Sequence, residues 1–326
     1  MPKSFFAIVT NTFIDTLRQP VYGVVIAAAV ILLIISPSLI MFTLEDDNLL
    51  LKDIGLSTLL VAGLLLGVFA AAAVVSEEIE NKTTLTVISK TVSRALYIVA
   101  KFIGVAGALL LAQYILSLVL LMVVRHGILQ RAAEKHDLVV IILGLGSAAL
   151  TLILGLAGNY FYRWRFSSFA VLMGAALATF VMAIMAFIDP KWNYDPSKNN
   201  LAWDLLPPII LIIIAVLILT AIAVVAATRL GMTMSLFICV IIFVLGIMLE
   251  QWLGPTARNP DHLMDYLAWI PLTIIPCLSF FEVTNAIYEQ ARVPSIYIAH
   301  IALYAFLYVG ACLLFAVALF RTREIG

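Results

Sequence analysis

Eight apolar stretches run through the chain, and each is long enough to cross a lipid bilayer. A helix rises about 1.5 Å per residue, so about 20 apolar residues cross roughly 30 Å of hydrocarbon. Barrel strands would instead read as short alternating segments. The sequence therefore predicts an all-α polytopic membrane protein with about eight transmembrane helices. They cover approximately residues 21–42, 54–75, 102–124, 138–158, 168–188, 208–228, 233–250 and 297–320.

The composition supports a membrane protein and excludes other classes. Only 12% of residues are charged, against roughly 25% in soluble domains. The net charge of zero gives no sign of nucleic-acid binding. Cys239, Cys277 and Cys312 lie in apolar stretches without metal-ligand spacing, which favours a packing role. The short seventh stretch and the boundaries within 138–188 leave a six-span alternative open.

The placement of Lys and Arg predicts that both termini are cytoplasmic. With the N-terminus inside, the larger share of the 19 basic residues lies on the inner face, including Arg163 and Arg165 in a short turn at 159–168. Arg125, Arg131 and Lys135 oppose this orientation.

Two segments outside the spans have predicted structures of their own. Residues 1–20 place Phe6, Val9, Phe13 and Leu17 at helical spacing, which is typical of an interfacial amphipathic helix. Residues 251–296 contain an apolar stretch at 266–281 that is too short to span twice and is interrupted by Pro271 and Pro276. We expect a re-entrant or interfacial helix pair there. The segment 189–208, rich in Pro, Asn and Trp, is expected to be an outer loop.

The polar segment 76–101, SEEIENKTTLTVISKTVSRALYIVAK, lies between the second and third apolar stretches. Connections are usually about 4–6 residues long, so this longer segment, with Leu85, Val87 and Ile88 in polar surroundings, indicates a cytosolic docking surface. A short helix is expected after Ser76, and Ser93 is predicted to cap a second one. Arg94 and Lys101 are expected at its cytosolic surface, and Tyr97 near the lipid headgroups. The alternative is a solvated loop.

This string resembles the cytosolic coupling segment of ABC-2 type transporter permeases, whose pattern runs approximately EE, GTL, LLS, PVSR, an aromatic residue and GK. Three positions depart from that pattern, namely Thr83, Thr91 and Ala100. The residues 227–246 and 301–326 also resemble a hairpin and the last span of these permeases. The positions that match the coupling pattern are Glu77, Glu78, Thr84, Leu85, Ser89, Val92, Ser93, Arg94, Tyr97 and Lys101.

The resemblance implies the permease subunit of an exporter in the bacterial cytoplasmic (inner) membrane, with residues 1–326 as a single transmembrane permease domain. It implies a partner cytosolic ATPase that carries ATP and Mg, a second permease copy, and contact with membrane lipid. The spans within 138–188 would be an extra pair beyond the usual six. The implied ATPase-coupling residues are Glu77, Glu78, Thr84, Leu85, Ser93 and Arg94.

No G-x-x-x-x-G-K-[ST] loop and no catalytic constellation occurs in the sequence. We therefore expect no enzymatic activity, no cofactor and no metal in this chain, with ATP hydrolysis on the partner. His300, Tyr304 and Tyr308 follow Tyr297 along one stripe of the last span and are expected to line a pathway or to pack against other helices. Glu250, Glu282, Gln113 and Tyr114 are further polar residues at or near membrane depth.

Two other functions remain possible on the sequence. A secondary transporter driven by an ion gradient would have charged or Gly/Pro-broken spans in two corresponding halves, whereas these spans are mostly uninterrupted. A membrane scaffold or assembly protein would have no transport cycle. The apolar spans are compatible with a lipid, a hydrophobic drug or a peptide as substrate.

Overall fold

A computed structural model describes residues 2–40, 47–76, 93–128, 137–258, 269–281 and 293–321. These residues are nearly all helical, and no β-strand occurs among them. Eight of the helices are long and apolar enough to cross a membrane. The prediction of an all-α polytopic membrane protein is confirmed, with eight candidate spans.

The described residues form ten α-helices, and all except α1 and α9 are candidate spans. The helix α3 ends in a π-helical turn, Ala72–Ser76, and α5 contains a second one, Ile141–Leu145. The bounds are α1 Pro2–Arg18, α2 Pro20–Ile40, α3 Asp47–Ala71, α4 Arg94–His126, α5 Leu138–Tyr162, α6 Phe166–Met185, α7 Leu206–Ala227, α8 Met232–Arg258, α9 Trp269–Ile274 and α10 Ser295–Arg321.

The chain divides into two compact units. The first contains Met1–Thr12, Gly67–Ala106 and Ile210–Gly326, and the second contains Phe13–Leu66 and Gly107–Ile209. The single domain over 1–326 stays a prediction.

In the second unit, α2 has apolar residues on every side, but only one of its faces is buried. Its buried residues recur every three or four positions, so they form one stripe along the helix. Tyr22 anchors the stripe, because its hydroxyl donates to the Ala108 carbonyl oxygen of α4 at 2.7 Å. The rest of α2 is exposed yet apolar, as at Val24, Ile31 and Leu39. A large exposed apolar surface of this kind indicates contact with lipid, and the chain is an integral membrane protein.

The helices α5 and α6 form a tight pair in the second unit. A Cβ on Gly155 would lie 2.9 Å from the ring of Phe166, so a side chain at this position would push the helices apart. The two helices are joined only by residues 163–165. The predicted short turn is confirmed.

Two helices continue beyond the predicted ends of their spans. The helix α3 begins at Asp47, seven residues before the predicted 54, and Lys52 Nζ donates to Asp204 Oδ2 at 2.6 Å. The helix α8 continues through Glu250 to Arg258 rather than ending at 250. Both helices thus continue beyond the ends of their apolar stretches. Charged residues are tolerated there because their side chains reach polar partners or water.

In the first unit, α7 is the most buried span. Its residues from Ile212 to Ala227 are almost entirely apolar and mostly buried. The hydroxyl of Thr220 donates back to the Val216 carbonyl oxygen at 2.7 Å, so the polar group is satisfied within the helix.

The helix α1 forms as predicted, but its buried face differs from the predicted stripe. Leu17 is buried, whereas Phe6 is 66% exposed and Thr12 and Thr16 are buried. The shift follows from a close approach at Gly104 of α4, where a Cβ would lie 2.5 Å from Thr12 Cβ and 2.8 Å from the Val9 oxygen. A small residue at Gly104 allows that approach to Thr12, and Phe13 packs against α4 at Gly107, where a Cβ would lie 3.3 Å from Phe13 Cδ2.

Candidate functional site

Most of the predicted coupling residues cannot be placed. Glu77, Glu78, Thr84 and Leu85 lie outside the described residues, as do Ser89 and Val92 and the departures Thr83 and Thr91. The described structure resumes at Ser93, so it contains the end of the string, where the polar segment joins α4.

Ser93 caps α4 as predicted. Its Oγ accepts a hydrogen bond from the Leu96 backbone N–H at 3.3 Å, which satisfies one of the donors that every helix start leaves unpaired. The helix that it caps is not a separate cytosolic helix, because α4 runs without a break from Arg94 to His126. The end of the coupling-like string is therefore part of a candidate span.

Arg94 and Arg229 both bind the C-terminal end of α10. Arg94 Nη1 donates to the Arg321 carbonyl oxygen at 2.9 Å, and Arg229 Nη2 donates to the Leu319 carbonyl oxygen at 2.9 Å. The last carbonyls of a helix lack intrahelical partners and carry partial negative charge. The two guanidinium groups thus act as a cationic cap on the last span.

Tyr97, Phe320 and Lys101 form a buried stack beside this cap. The rings of Tyr97 and Phe320 are 6.0 Å apart and inclined by 16°, and Lys101 Nζ lies 5.5 Å from the Tyr97 ring centroid. Tyr97 and Phe320 are fully buried, and Lys101 is only 5% exposed. The prediction that Lys101 lies at the surface is wrong, because this face of α4 packs against the end of α10. The position of Tyr97 near the headgroups stays a prediction.

We call these residues the Arg94 cluster: Ser93, Arg94, Tyr97, Lys101 and Arg229 with Leu319, Phe320 and Arg321. It joins the last part of the polar segment to the end of the last span through hydrogen bonds and ring contacts. Arg229 and Phe320 were missed by sequence reasoning. The position of Arg229 next to the end of a predicted helix could have indicated a cap, because basic residues are favourable near helix C-termini.

The tyrosine stripe of α10 holds the segment 269–281, whose helix is interrupted. Tyr297 and Tyr308 donate to the carbonyl oxygens of Phe280 and Ile274 at 2.7 and 2.8 Å, and the Tyr304 hydroxyl accepts from the Cys277 N–H at 3.2 Å. Irregular backbone at membrane depth needs such partners. The geometry of these hydrogen bonds supports a packing role for Tyr304 and Tyr308. The side chain of His300 is exposed.

The segment so held is the helix α9, a break at 275–277 and a short 3₁₀ turn, Leu278–Phe281. It packs against α8, where a Cβ on Gly246 would lie 2.7 Å from the Pro276 oxygen. Pro276 lies in this break as expected, whereas Pro271 lies within α9. Glu282, the remaining polar candidate of this region, lies outside the described residues.

Cys277 lies at the centre of this segment. Its thiol is 3.6 Å from Glu250 Oε2 and 3.2 Å from Ser279 Oγ. Burial raises the pKa of the Cys277 thiol, so the group stays protonated at neutral pH and is a poor nucleophile. Within the described residues, no three His, Cys, Asp or Glu side chains come together as metal ligands.

A buried ion pair at the other end of α4 was also missed. Arg125 Nε donates to Asp137 Oδ2 at 3.1 Å, and Nη1 and Nη2 donate to the carbonyl oxygens of Met185 and Ile188 at 2.6 and 2.9 Å. The Arg125 side chain is 0% exposed. Asp137 Oδ1 accepts from the Val139 and Val140 N–H groups at 3.0 and 3.2 Å. The pair fastens the start of α5 and the end of α6 to α4.

Two further polar residues of the second unit form hydrogen bonds between helices. Gln113 Nε2 donates to the Leu59 carbonyl oxygen at 2.9 Å, and the Tyr114 hydroxyl is 2.9 Å from Thr179 Oγ1. Both contacts join neighbouring spans, which supports a packing role for these two residues.

Compared with known proteins, the chain matches no family model and no curated protein. The resemblance to ABC-2 type permeases therefore depends on the residues of 76–101, 227–246 and 301–326 themselves.

Proposed function

We propose that this chain is the permease subunit of an ATP-driven transporter of the ABC-2 type, an exporter powered by a separate cytosolic ATPase. The observation that supports the proposal best is the Arg94 cluster. The residues that end the coupling-like string also hold the end of the last span. A force on that string would reach two spans at once.

The contacts suggest how such a force would be transmitted. Ser93 is the first residue of the polar segment that the structure describes after Ser76, and the Arg94 guanidinium beside it binds the Arg321 carbonyl oxygen. Tyr97, one helical turn further along α4, is stacked on Phe320. Closure of the ATPases on ATP would push the segment, and α4 and α10 would respond together. Coupled elements of this kind need two discrete arrangements rather than gradual bending.

The proposal includes the partners that such a permease requires. ATP and Mg would be bound by the ATPase, a second permease copy would complete the transport path, and both termini would lie in the cytoplasm of a bacterial cell. Glu77 and Glu78 would contact the ATPase, and Arg94 would transmit the movement. The secondary transporter and the scaffold protein are the competing functions.

The test is a reconstitution. The full chain is purified from its native membrane with any bound ATPase, and ATP hydrolysis is measured in proteoliposomes with and without the permease. We expect the Glu77→Gln/Glu78→Gln variant to retain the ATPase but to lose most of the stimulation of hydrolysis.

The matched control removes two carboxylates elsewhere, Asp195→Asn/Asp204→Asn, and should keep the stimulation. A complex whose hydrolysis is unchanged by the Glu77/Glu78 variant would contradict the coupling assignment. A chain that carries no ATPase and moves no substrate on ATP addition would contradict the ABC-2 proposal as a whole.

A further inference from the structure

The turn between α5 and α6 exposes an unusual concentration of aromatic side chains. We call residues 160–165, Tyr-Phe-Tyr-Arg-Trp-Arg, the aromatic tip. Tyr160, Phe161 and Tyr162 are 81%, 74% and 69% exposed, and Trp164 is 48% exposed. Rings this exposed are costly in water, which indicates that another surface covers them.

The aromatic tip is held in one shape by its own backbone. Arg163 adopts a left-handed conformation with φ of 57°. Its N–H donates to the Asn159 oxygen at 3.1 Å, the Trp164 N–H donates to the Gly158 oxygen at 3.2 Å, and Asn159 Nδ2 donates to the Trp164 oxygen at 2.8 Å. The Trp164 ring stacks on Tyr162 at 5.0 Å and contacts Phe169 at 4.9 Å. A preorganised surface loses little conformational entropy on binding.

The position of the aromatic tip places it at a membrane face. It joins two candidate spans, so the short turn must emerge where both helices leave the hydrocarbon. The neighbouring Ser167 Oγ donates to the Leu17 carbonyl oxygen at 3.0 Å. Leu17 belongs to the last turn of α1, the helix predicted to lie in the interface. Two independent features therefore place this turn at headgroup depth, where Tyr and Trp are enriched.

The charge of the aromatic tip is positive. Arg163 and Arg165 are the charged residues between Leu138 and Met185, and that stretch contains no Asp or Glu. Both arginines are exposed, and no carboxylate of the described residues forms an ion pair with either. The nearest acidic group on the adjoining end of α1 is Asp15, which pairs with Arg18 at 3.9 Å. The complementary ligand is an anion at headgroup depth.

We propose that the aromatic tip binds the headgroup of an anionic phospholipid. Arg163 and Arg165 would hold the phosphate oxygens, and the rings of Tyr160, Tyr162 and Trp164 would lie among the upper acyl chains. Guanidinium groups suit phosphate because their donors are arranged in a fixed fork. This inference does not depend on the proposed transport function, since it needs only the turn and a membrane.

The test uses Trp164 as the reporter. The chain has 5 Trp, and the other four, Trp192, Trp203, Trp252 and Trp269, are about half-exposed and can be changed to Phe. The full chain is reconstituted in phosphatidylcholine vesicles with an equal fraction of brominated phosphatidylglycerol or brominated phosphatidylcholine. We expect stronger quenching by the anionic lipid, corresponding to about tenfold enrichment at the tip.

Three variants make the test specific. Arg163→Asn/Arg165→Gln should abolish the lipid preference, and asparagine tolerates the left-handed backbone at 163. Arg163→Lys/Arg165→Lys should keep part of it. Lys191→Gln/Lys198→Gln, which removes two cations from another loop, should leave it unchanged. Equal quenching by the two lipids in the parent chain, or a preference that survives loss of both arginines, would overturn the proposal.

Discussion

The two ends of α4 use arginine in opposite ways. At the C-terminal end, Arg125 is fully buried and directs its donors to a carboxylate and two carbonyl oxygens. At the N-terminal end, Arg94 is only partly buried and donates to one carbonyl oxygen, that of Arg321. The first arrangement fixes neighbouring elements in place. The second is a single contact that can break and re-form, as the proposed coupling movement requires.

The largest effect is expected from breaking the buried pair. Arg125→Met leaves the Asp137 carboxylate buried without its cation, so we expect a loss of about 3–5 kcal/mol in stability. The measurement is thermal unfolding in detergent, followed by helical circular dichroism. The double variant Arg125→Met/Asp137→Asn should recover much of the loss, because asparagine can still cap Val139 and Val140. A single variant as stable as the parent would remove the contrast between the two ends.

A second prediction concerns the close packing of α1 on the N-terminal part of α4. Gly104→Leu would drive a side chain into Thr12 and the Val9 oxygen, so we expect about 1–3 kcal/mol of destabilisation and release of α1. Protease accessibility of residues 2–18 measures that release. The control is Gly310→Leu in α10, because a Cβ on Gly310 would have no neighbouring atom within 4 Å. Equal behaviour of the two variants would contradict the close packing of α1 on α4.

The tyrosines of α10 provide a third, smaller effect. Tyr308→Phe removes the donor to the Ile274 oxygen, and we expect about 1 kcal/mol of local destabilisation. Faster amide hydrogen exchange within 269–281 is the measurement. His300→Ala should leave exchange unchanged, since His300 is exposed. If the two variants exchange alike, the tyrosine contacts do not hold the broken segment.

The smallest effect concerns the loop that supplies an acceptor to Arg125. Hydrogen bonds from Ser197 and Lys198 lower the pKa of Asp195. A carboxyl group whose folded pKa is depressed contributes stability above its unfolded pKa and loses it as pH falls through the folded value. Thermal unfolding across pH 2–6 should therefore show slightly less acid dependence in Asp195→Asn than in the parent. An unchanged pH profile would show that this exposed pair is neutral for stability.

The sequence was sufficient for the features that depend on local pattern. Hydropathy alone predicts the eight candidate spans, Ser93 has the chemistry of a helix cap, and Pro276 predicts the break after α9. Each of these follows from backbone geometry or from the length of an apolar run.

The burial of charged and aromatic side chains could not be predicted in the same way. Arg94 meets its acceptor 227 positions away, and Lys101 is buried with its ammonium group 5.5 Å from the centroid of the Tyr97 ring. Two of the acceptors of Arg125 are backbone carbonyl oxygens at the end of α6. The amino-acid sequence does not indicate which backbone carbonyl groups are available as acceptors. Such placements depend on which helices pack together, and the pattern of one helix does not contain that information.

The most direct measurement is the effect of Arg94→Gln on ATP hydrolysis in the reconstituted complex. Arg94 lies at the N-terminus of α4, where a cation is unfavourable, so its removal should change stability by no more than about 1 kcal/mol. We predict an assembled complex with normal thermal stability whose stimulation of hydrolysis by the permease is lost. Full stimulation in a stable Arg94→Gln complex would contradict the role of the Arg94 cluster in coupling.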